Sequence, residues 1–280
     1  MEILGHRGCP GADTPENTIA SVEAAYAQGA DGVEVDVRLT ADGVAVCFHD
    51  AGLQRMAGVA GGVRSLTLAE LAAVRVNGHP VPTVADVLTC IAGRGRLVLD
   101  LKPEQRPRAL LAAVAQAFGT SGRPSPQIVL SSFDGDVLAA AAASAPDLER
   151  AVILTGAEPA SRVLAQAVTR GDHALHVPAR TVFCAPELVA AAHRHGLLVR
   201  VWTVNRPVDA RLLRLLDVDA VITDIPGELR RTLAERRSSA VHLDSTIEPS
   251  GLHTVGVEAG GEPAQTYRGE PIEHEAWSPA

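Results

Sequence analysis

The sequence predicts a (β/α)8 TIM barrel, in which eight parallel strands form a closed cylinder surrounded by helices. Short apolar segments typical of strands alternate with amphipathic helical segments along most of the chain. Eight strands remain when the second arm of one hairpin is set aside, and the pattern spans residues 1–238, near the usual ~250 residues of this fold. Aromatic residues make up only 3% of the chain, so the core must consist of Ala, Val, Leu and Ile, as in a parallel sheet covered by helices.

The first predicted strand ends in two residues that can carry charge. His6 and Arg7 directly follow the apolar segment 3–5. An Arg guanidinium pairs with two oxygens of a phosphate or carboxylate, and His transfers protons near neutral pH. The pair therefore indicates an anionic substrate, with a solvated surface loop as the alternative on spacing alone. Asn17 is the expected N-cap of the next helix, 18–27, although Thr14 and Pro15 are also compatible with a start.

The second predicted strand, 32–39, alternates strictly between apolar and polar residues, so Glu34 and Asp36 share one face. A tight-turn signal, Ala41-Asp42-Gly43, leads into another short strand that ends at His49. Too few residues separate these two strands for a crossover helix, so we predict an antiparallel hairpin. With Ala41 and Asp42 as the loop, this hairpin places Glu34 opposite His49.

The rest of the chain repeats the strand and helix rhythm. The remaining barrel strands are predicted at 97–102, 128–133, 151–155, 174–177, 198–203 and 220–223. Helices are predicted at 67–74, 83–91, 108–118, 136–144, 160–169, 186–195, 208–216 and 227–237. A small insertion therefore follows the second barrel strand. Residues 239–280 form an acidic tail rich in Gly, Pro and Glu, which we predict to be disordered.

Charge and composition argue against several classes of partner. The net charge is −8, and from Ala240 onward there are seven acidic residues and one arginine, so no basic face for nucleic acid is expected. There is no CxxC pair and no secretory signal, so we expect a cytoplasmic protein with reduced thiols. The longest apolar run, 137–143, is too short for membrane insertion. The oligomeric state does not follow from the residues.

Polar residues stand where the barrel strands end, and active sites of this fold lie at that rim. Glu34, Asp36 and Asp100 would lie close together there and raise one another's pKa unless a cation neutralises them. Oxygen ligands alone suit Mg²⁺ or Ca²⁺ better than Zn²⁺. The alternative is an outer strand face that carries these acids by chance.

Three further side chains are candidates for this rim. Lys102 is the only lysine beside 24 arginines, and its compact ammonium suits a phosphate oxygen, although chance retention is the alternative. His6 and His49 approach from different segments and could serve as general acid and general base across a phosphorus atom. Trp202 either lines the pocket or belongs to the core.

Taken together, the motifs of residues 3–233 resemble those of the glycerophosphodiester phosphodiesterase family. The resemblance is carried by His6-Arg7-Gly8, Pro15-Glu16-Asn17-Thr18, Glu34-Val35-Asp36-Val37, Thr40-x-Asp42-Gly43, His49-Asp50, Thr67-Leu68-x-Glu70-Leu71, Pro82-Thr83, Asp100-Leu101-Lys102, Ser131-Ser132-Phe133, Val201-Trp202-Thr203-Val204-Asn205 and Ile222-Thr223-Asp224. It implies metal-dependent hydrolysis of glycerophosphodiesters, such as glycerophosphocholine or glycerophosphoethanolamine, to sn-glycerol 3-phosphate and an alcohol, in phospholipid and glycerol metabolism.

The same resemblance implies a role for each site residue. Glu34, Asp36 and Asp100 become ligands of Mg²⁺ or Ca²⁺, with Mn²⁺ also compatible, and His6 and His49 become the acid–base pair. Arg7 and Lys102 would bind the phosphate of a small-molecule diester, Glu16 would support the first loop or contact substrate, and Trp202 would line the glycerol or head-group side. The chain departs from the family in having Asp instead of Glu at position 100, and a short insertion, 50–66, without the usual Asp-Arg-Thr run.

Two other functions compete with this one. A lysophospholipase-D-like hydrolase on the same barrel would need an apolar groove or a membrane-binding patch at the rim, and the sequence shows no amphipathic stretch rich in Trp or Lys that could supply it. A non-catalytic barrel that binds phosphodiesters or a partner protein would be expected to lack a key residue. Metal-dependent release of glycerol 3-phosphate distinguishes the three.

Overall fold

Eight parallel strands close into a barrel in the computed structural model, which describes residues 1–103, 106–121 and 127–234. In chain order, the barrel strands are β1 (Glu2–Gly5), β2 (Gly32–Leu39), β3 (Arg96–Leu101), β4 (Gln127–Ser132), β5 (Glu149–Ile153), β6 (Ala174–Pro178), β7 (Leu198–Trp202) and β8 (Ala220–Thr223). The barrel closes because β1 pairs with β8 on one side and with β2 on the other. The predicted (β/α)8 barrel is confirmed. The predicted domain boundary after residue 238 and the predicted disorder of 239–280 lie outside the described residues.

Helices follow the barrel strands and cover the outside of the sheet. Those of the barrel are Ile19–Ala27, Val84–Ile91, Pro107–Ser121, Gly135–Ser144, Ala160–Arg170, Ala179–Cys184, Glu187–Arg194, Pro207–Leu215 and Pro226–Ala234. Buried Val, Leu, Ile and Ala side chains form two large clusters between these helices and the strands. The core of Ala, Val, Leu and Ile that the composition predicts is therefore the core observed. No helix in the described ranges is long and apolar enough to cross a bilayer.

The first barrel helix begins one residue later than predicted. Its N-cap is Thr18, whose hydroxyl accepts from the backbone N–H of Ser21, while the Ser21 hydroxyl in turn accepts from the Thr18 N–H. The prediction of Asn17 as N-cap was wrong. Asn17 instead has a left-handed backbone, φ 59°, which Asn tolerates better than most residues. That conformation turns its side chain toward β2.

The predicted antiparallel hairpin is present, but its register differs by one residue from the prediction. The strand Ala45–Cys47 pairs with the end of β2, with Val37 opposite Cys47 and Leu39 opposite Ala45. The loop contains three residues rather than two, because Gly43 adopts φ 82° and the Thr40 hydroxyl accepts from the backbone N–H of Val44. A three-residue turn with Gly in the left-handed position is a common alternative to the two-residue loop. Glu34 is therefore not directly opposite His49.

After the hairpin, a small insertion packs beside the barrel mouth around its own apolar cluster. It contains short helices at Gln54–Ala57 and Leu68–Leu71, a 3-10 turn at Val63–Ser65 and a two-stranded ladder of Arg75–Val76 with His79–Pro80. The Val46, Phe48, Leu53, Val63, Leu71, Val74 and Val76 side chains are all buried in one cluster. This cluster fixes the position of the segment that begins with His49.

The barrel interior is arranged in layers. A middle layer of small and branched apolar side chains consists of Leu4, Val98, Val129, Ala151, Ala174, Ala220 and Ile222. On one side of it, at the strand beginnings, Arg96 forms ion pairs with Glu2 and Glu149. On the other side, at the strand ends, lie the polar residues predicted to form the site. The middle layer thus forms the apolar floor of that site.

Candidate active site

A pocket opens at the carboxyl ends of the strands, where active sites of this fold lie. It brings together eight of the nine predicted site residues, and the ninth, Glu16, contacts Arg7 just behind the lining. The eight are His6, Arg7, Glu34, Asp36, His49, Asp100, Lys102 and Trp202. Ser131, Phe133, Ile153, His176 and Ile222 complete the lining.

Three carboxylates meet on adjacent strands at one side of this pocket. Asp36 of β2 is paired in register with Asp100 of β3, and Glu34 precedes Asp36 on the same face. One oxygen from each lies within 4.8 Å of the others, and all three side chains are buried. Burial raises the pKa of Glu34 to about 7, and the Asp36 carboxylate adds to the effect. Burial likewise raises the pKa of Asp100, even though the Lys102 ammonium opposes it.

Two cations offset part of this negative charge. The Lys102 ammonium lies 2.6 Å from Asp36 Oδ1 and 2.6 Å from Asp100 Oδ2. The Arg7 guanidinium lies 3.3 Å from Asp36 Oδ2, and its backbone N–H donates to Glu34 at 2.9 Å. Burial favours the neutral form of Asp36, but the charges of Lys102 and Arg7 outweigh it and hold the pKa of Asp36 below its ordinary value. Asp36 is therefore ionised.

The carboxylate cluster has the composition and spacing that a hard dication requires. Ligand oxygens on opposite sides of one Ca²⁺, at 2.3–2.6 Å each, stand about 5 Å apart, which matches the 4.8 Å spread of these atoms. Asp100 Oδ1 is buried without a hydrogen-bond donor among the described residues. A buried charged oxygen without a partner is costly, and a cation would satisfy it. Glu34, Asp36 and Asp100 thus fit a single divalent ion.

His6 is oriented by an aspartate from the far end of the chain. Its Nδ1 lies 2.7 Å from Asp224 Oδ1, and the other Asp224 oxygen accepts from the Asn205 amide. An ionised carboxylate only accepts, so Nδ1 carries the proton and Nε2 is left for other partners. Burial alone would lower the pKa of His6, but the hydrogen bond to Asp224 and the charge of Glu34 outweigh it and raise the pKa.

Substituting Asp224→Asn should therefore lower the pKa of His6, since the change removes the carboxylate that favours the imidazolium. The ring then loses its proton at a lower pH than in the wild type. An NMR titration of the imidazole nitrogens measures this directly, with Asp209→Asn, a half-buried acid outside the pocket that pairs with Arg206, as the control. An unchanged His6 titration in Asp224→Asn would show that the pair does not set the charge of the ring.

His49 has a similar arrangement, built from the insertion. Its Nδ1 lies 2.6 Å from Asp50 Oδ1, and Arg55 donates to both Asp50 oxygens. Arg55 also pairs with Glu16, which receives a hydrogen bond from Arg7 at 2.9 Å. Burial lowers the pKa of His49. Glu16 therefore joins the first loop to the insertion through two arginines.

Asn17 holds the carboxylate cluster in place, a role that the sequence analysis missed. Its amide nitrogen donates to Asp36 Oδ2 at 2.7 Å, and its amide oxygen accepts from the Asp36 backbone N–H at 2.9 Å. This two-point contact fixes both the strand and its side chain. The left-handed backbone of Asn17 makes the contact possible, and the Pro15-Glu16-Asn17-Thr18 motif alone does not reveal it.

Trp202 lines the pocket across from the carboxylates. Its ring packs edge-on against Phe133, with centroids 5.8 Å apart and planes at 86°. Its indole Nε1–H is buried and has no acceptor among the described residues. Phe133 also lies 5.9 Å from the Lys102 ammonium. This wall is aromatic but offers one unpaired donor to a ligand.

Comparison with known proteins decides which family has this site. The model of the glycerophosphoryl diester phosphodiesterase family matches residues 6–228 of the chain. The chain belongs to this family. A glycerophosphodiester phosphodiesterase of Caldanaerobacter subterraneus is 29% identical over 81% of this chain and 95% of its own length, and the uncharacterized Bacillus subtilis protein YqiK is 34% identical over 80% and 95%.

Solved structures agree with the assignment to the glycerophosphoryl diester phosphodiesterase family. A phosphodiesterase of Oleispira antarctica, solved in complex with the product sn-glycerol-3-phosphate, has a TM-score of 0.76 and 27% identity, covering 83% of this chain and 96% of that one. A protein from Silicibacter pomeroyi described as a glycerophosphoryl diester phosphodiesterase also has a TM-score of 0.76, at 30% identity. This family member is a phosphoric diester hydrolase.

Proposed function

We propose that the barrel hydrolyses glycerophosphodiesters, such as glycerophosphocholine and glycerophosphoethanolamine, to sn-glycerol 3-phosphate and an alcohol. One observation carries the proposal: three buried carboxylates, two histidines and two cations converge on a single pocket in a member of this family. The product bound in the Oleispira antarctica relative supports the same substrate class.

The charged groups of the pocket would bind the diester phosphate. Glu34, Asp36 and Asp100 would hold one Mg²⁺ or Ca²⁺, with Mn²⁺ also compatible with oxygen ligands. When bound, such an ion supplies positive charge that stabilises the negative charge developing on the phosphate oxygens. Arg7 and Lys102 place two more positive groups at the same wall and would hold the phosphate against it.

The two histidines would move the protons. Each has its Nδ1 hydrogen-bonded to an aspartate, Asp224 or Asp50, so each presents Nε2 as the reacting atom. One imidazole accepts the proton of the attacking group, which is water or the glycerol hydroxyl next to the phosphate. The other donates a proton to the leaving alcohol. The aspartates fix the orientation of both rings during these transfers.

A panel of diesters tests this proposal. The purified full chain is given glycerophosphocholine, glycerophosphoethanolamine, a lysophospholipid and bis(p-nitrophenyl) phosphate, each with Mg²⁺, Ca²⁺ or Mn²⁺. The released alcohol (choline, ethanolamine or p-nitrophenol) is measured for every substrate, and glycerol 3-phosphate is measured for the two glycerophosphodiesters. We expect release from the two glycerophosphodiesters and much slower turnover of the lysophospholipid. Preferred cleavage of the lysophospholipid would support the lysophospholipase-D-like alternative, and no cleavage with any ion would support a non-catalytic barrel.

A further inference from the structure

His176 lies at the bottom of the pocket and has no part in the chemistry derived so far. It belongs to β6, is 1% exposed and lines the cavity. Because β6 is four strands away from β2 in a ring of eight, His176 lies across the barrel from Glu34 and Asp36. A diester whose phosphate is held at the carboxylate wall therefore extends one of its two ends toward this ring.

Arg200, which is held by an ion pair with Glu149, determines which nitrogen of His176 carries the proton. Arg200, in register with His176 on the neighbouring strand β7, places Nη1 at 3.4 Å from His176 Nε2. A guanidinium has donors only, so Nε2 must accept and a neutral ring must carry its proton on Nδ1. Arg200 is itself 1% exposed and pairs through Nη2 with Glu149 at the strand beginnings. The contact with Glu149 therefore fixes the position of the Arg200 guanidinium.

The surroundings of the ring keep it neutral. Burial, together with the positive charges of Arg200 and Arg96, holds the pKa of His176 well below its ordinary value. The His176 ring has no other hydrogen-bond partner within the described ranges. The Nδ1–H is thus a fixed, neutral donor left free at the floor of a pocket that takes a phosphodiester.

We propose that His176 is a specificity-determining residue that donates a hydrogen bond to a glycerol hydroxyl of the substrate. This role rests on the proposed function and places the glycerol end of the diester, rather than the head group, at the bottom of the pocket. A glycerol moiety offers hydroxyl oxygens that accept from a donor. A choline or ethanolamine head group offers only a cationic nitrogen, which has no acceptor and would lie near the charges of Arg200 and Arg96.

The geometry adds a second donor to this subsite. The Trp202 indole Nε1–H is buried without an acceptor and belongs to β7, the strand next to His176. Two unpaired donors on one side of a pocket can pair with both hydroxyl oxygens of a diol. A group with a single acceptor would leave one of the donors unpaired. Arg200 acts through His176 as a positioning residue, because it selects the tautomer and does not line the pocket itself.

Binding of two matched phosphate monoesters tests the inference without relying on turnover. sn-Glycerol 3-phosphate and n-propyl phosphate share the phosphate and the three-carbon chain but differ in the hydroxyls. We expect the wild type to bind glycerol 3-phosphate roughly tenfold more tightly, the range of one to two net hydrogen bonds. His176→Leu should lose most of this preference and bind propyl phosphate within twofold of the wild type. His176→Gln should retain part of it, because its amide can accept from Arg200 and donate into the pocket.

Each outcome decides between the inference and the function on which it rests. If the wild type prefers glycerol 3-phosphate and His176→Leu keeps that preference in full, the role of His176 is wrong while the proposed function stands. If the wild type neither releases nor binds glycerol 3-phosphate, both fail. Should His176→Leu not fold, the nitrogen resonances of His176 in the wild type replace it. They should shift on adding glycerol 3-phosphate and not propyl phosphate, and equal shifts would overturn the inference.

Discussion

Replacing either His6 or His49 with Gln should lower kcat for glycerophosphodiester hydrolysis by about 10²–10⁴-fold, the usual cost of one general acid or base. Gln is polar and close to His in length but cannot transfer a proton at neutral pH. Because neither ring carries the phosphate contacts, KM should change little. Steady-state release of glycerol 3-phosphate measures both parameters.

The control for these variants is His195→Gln, since His195 is an exposed residue at the end of a surface helix. Its activity should equal that of the wild type. The double variant of His6 and His49 should be far less impaired than the product of the two single effects, because the effects of residues that act as a unit in one reaction are not additive. Near-normal turnover in either single variant would reject that residue as acid or base.

The second large effect is expected at Asp100. Asp100→Asn removes one negative charge from the carboxylate cluster and should weaken dication binding. Loss of a residue that only hydrogen-bonds to a metal ligand costs roughly 10–100-fold in affinity, and loss of a ligand itself should cost more. Activity at limiting metal should fall in parallel. Asp100→Glu keeps the charge and should retain most of the binding. Equal metal affinity in the wild type and Asp100→Asn would mean that this carboxylate is not a ligand.

The barrel could be predicted from the sequence because its signal is distributed over the whole chain. Each strand and helix has a local pattern, and an error of one or two residues in a boundary leaves the order of elements intact. The hairpin after β2 shows where this fails. Its register depends on the backbone of Gly43, and a loop of two or of three residues is compatible with the same turn signal.

In the candidate site, too, some residues could be predicted from the sequence and others could not. The carboxylates and histidines could be placed because strand ends of a barrel share one rim. Their partners could not, since the contact of His6 with Asp224 joins residues 218 positions apart and that of Asn17 with Asp36 depends on a left-handed residue. His176 received no role from the sequence because its tautomer depends on Arg200, a residue whose burial only the closed barrel reveals.

We propose that Glu34, Asp36 and Asp100 hold one divalent cation that hydrolysis requires. Calorimetric titration of Ca²⁺ or Mn²⁺ into chelator-treated wild-type protein tests it most directly, with glycerol 3-phosphate release followed on the same samples. We predict one ion per chain, with activity rising in proportion to occupancy. A wild-type chain that binds no dication, or that hydrolyses glycerophosphodiesters at full rate in excess chelator, would contradict the account.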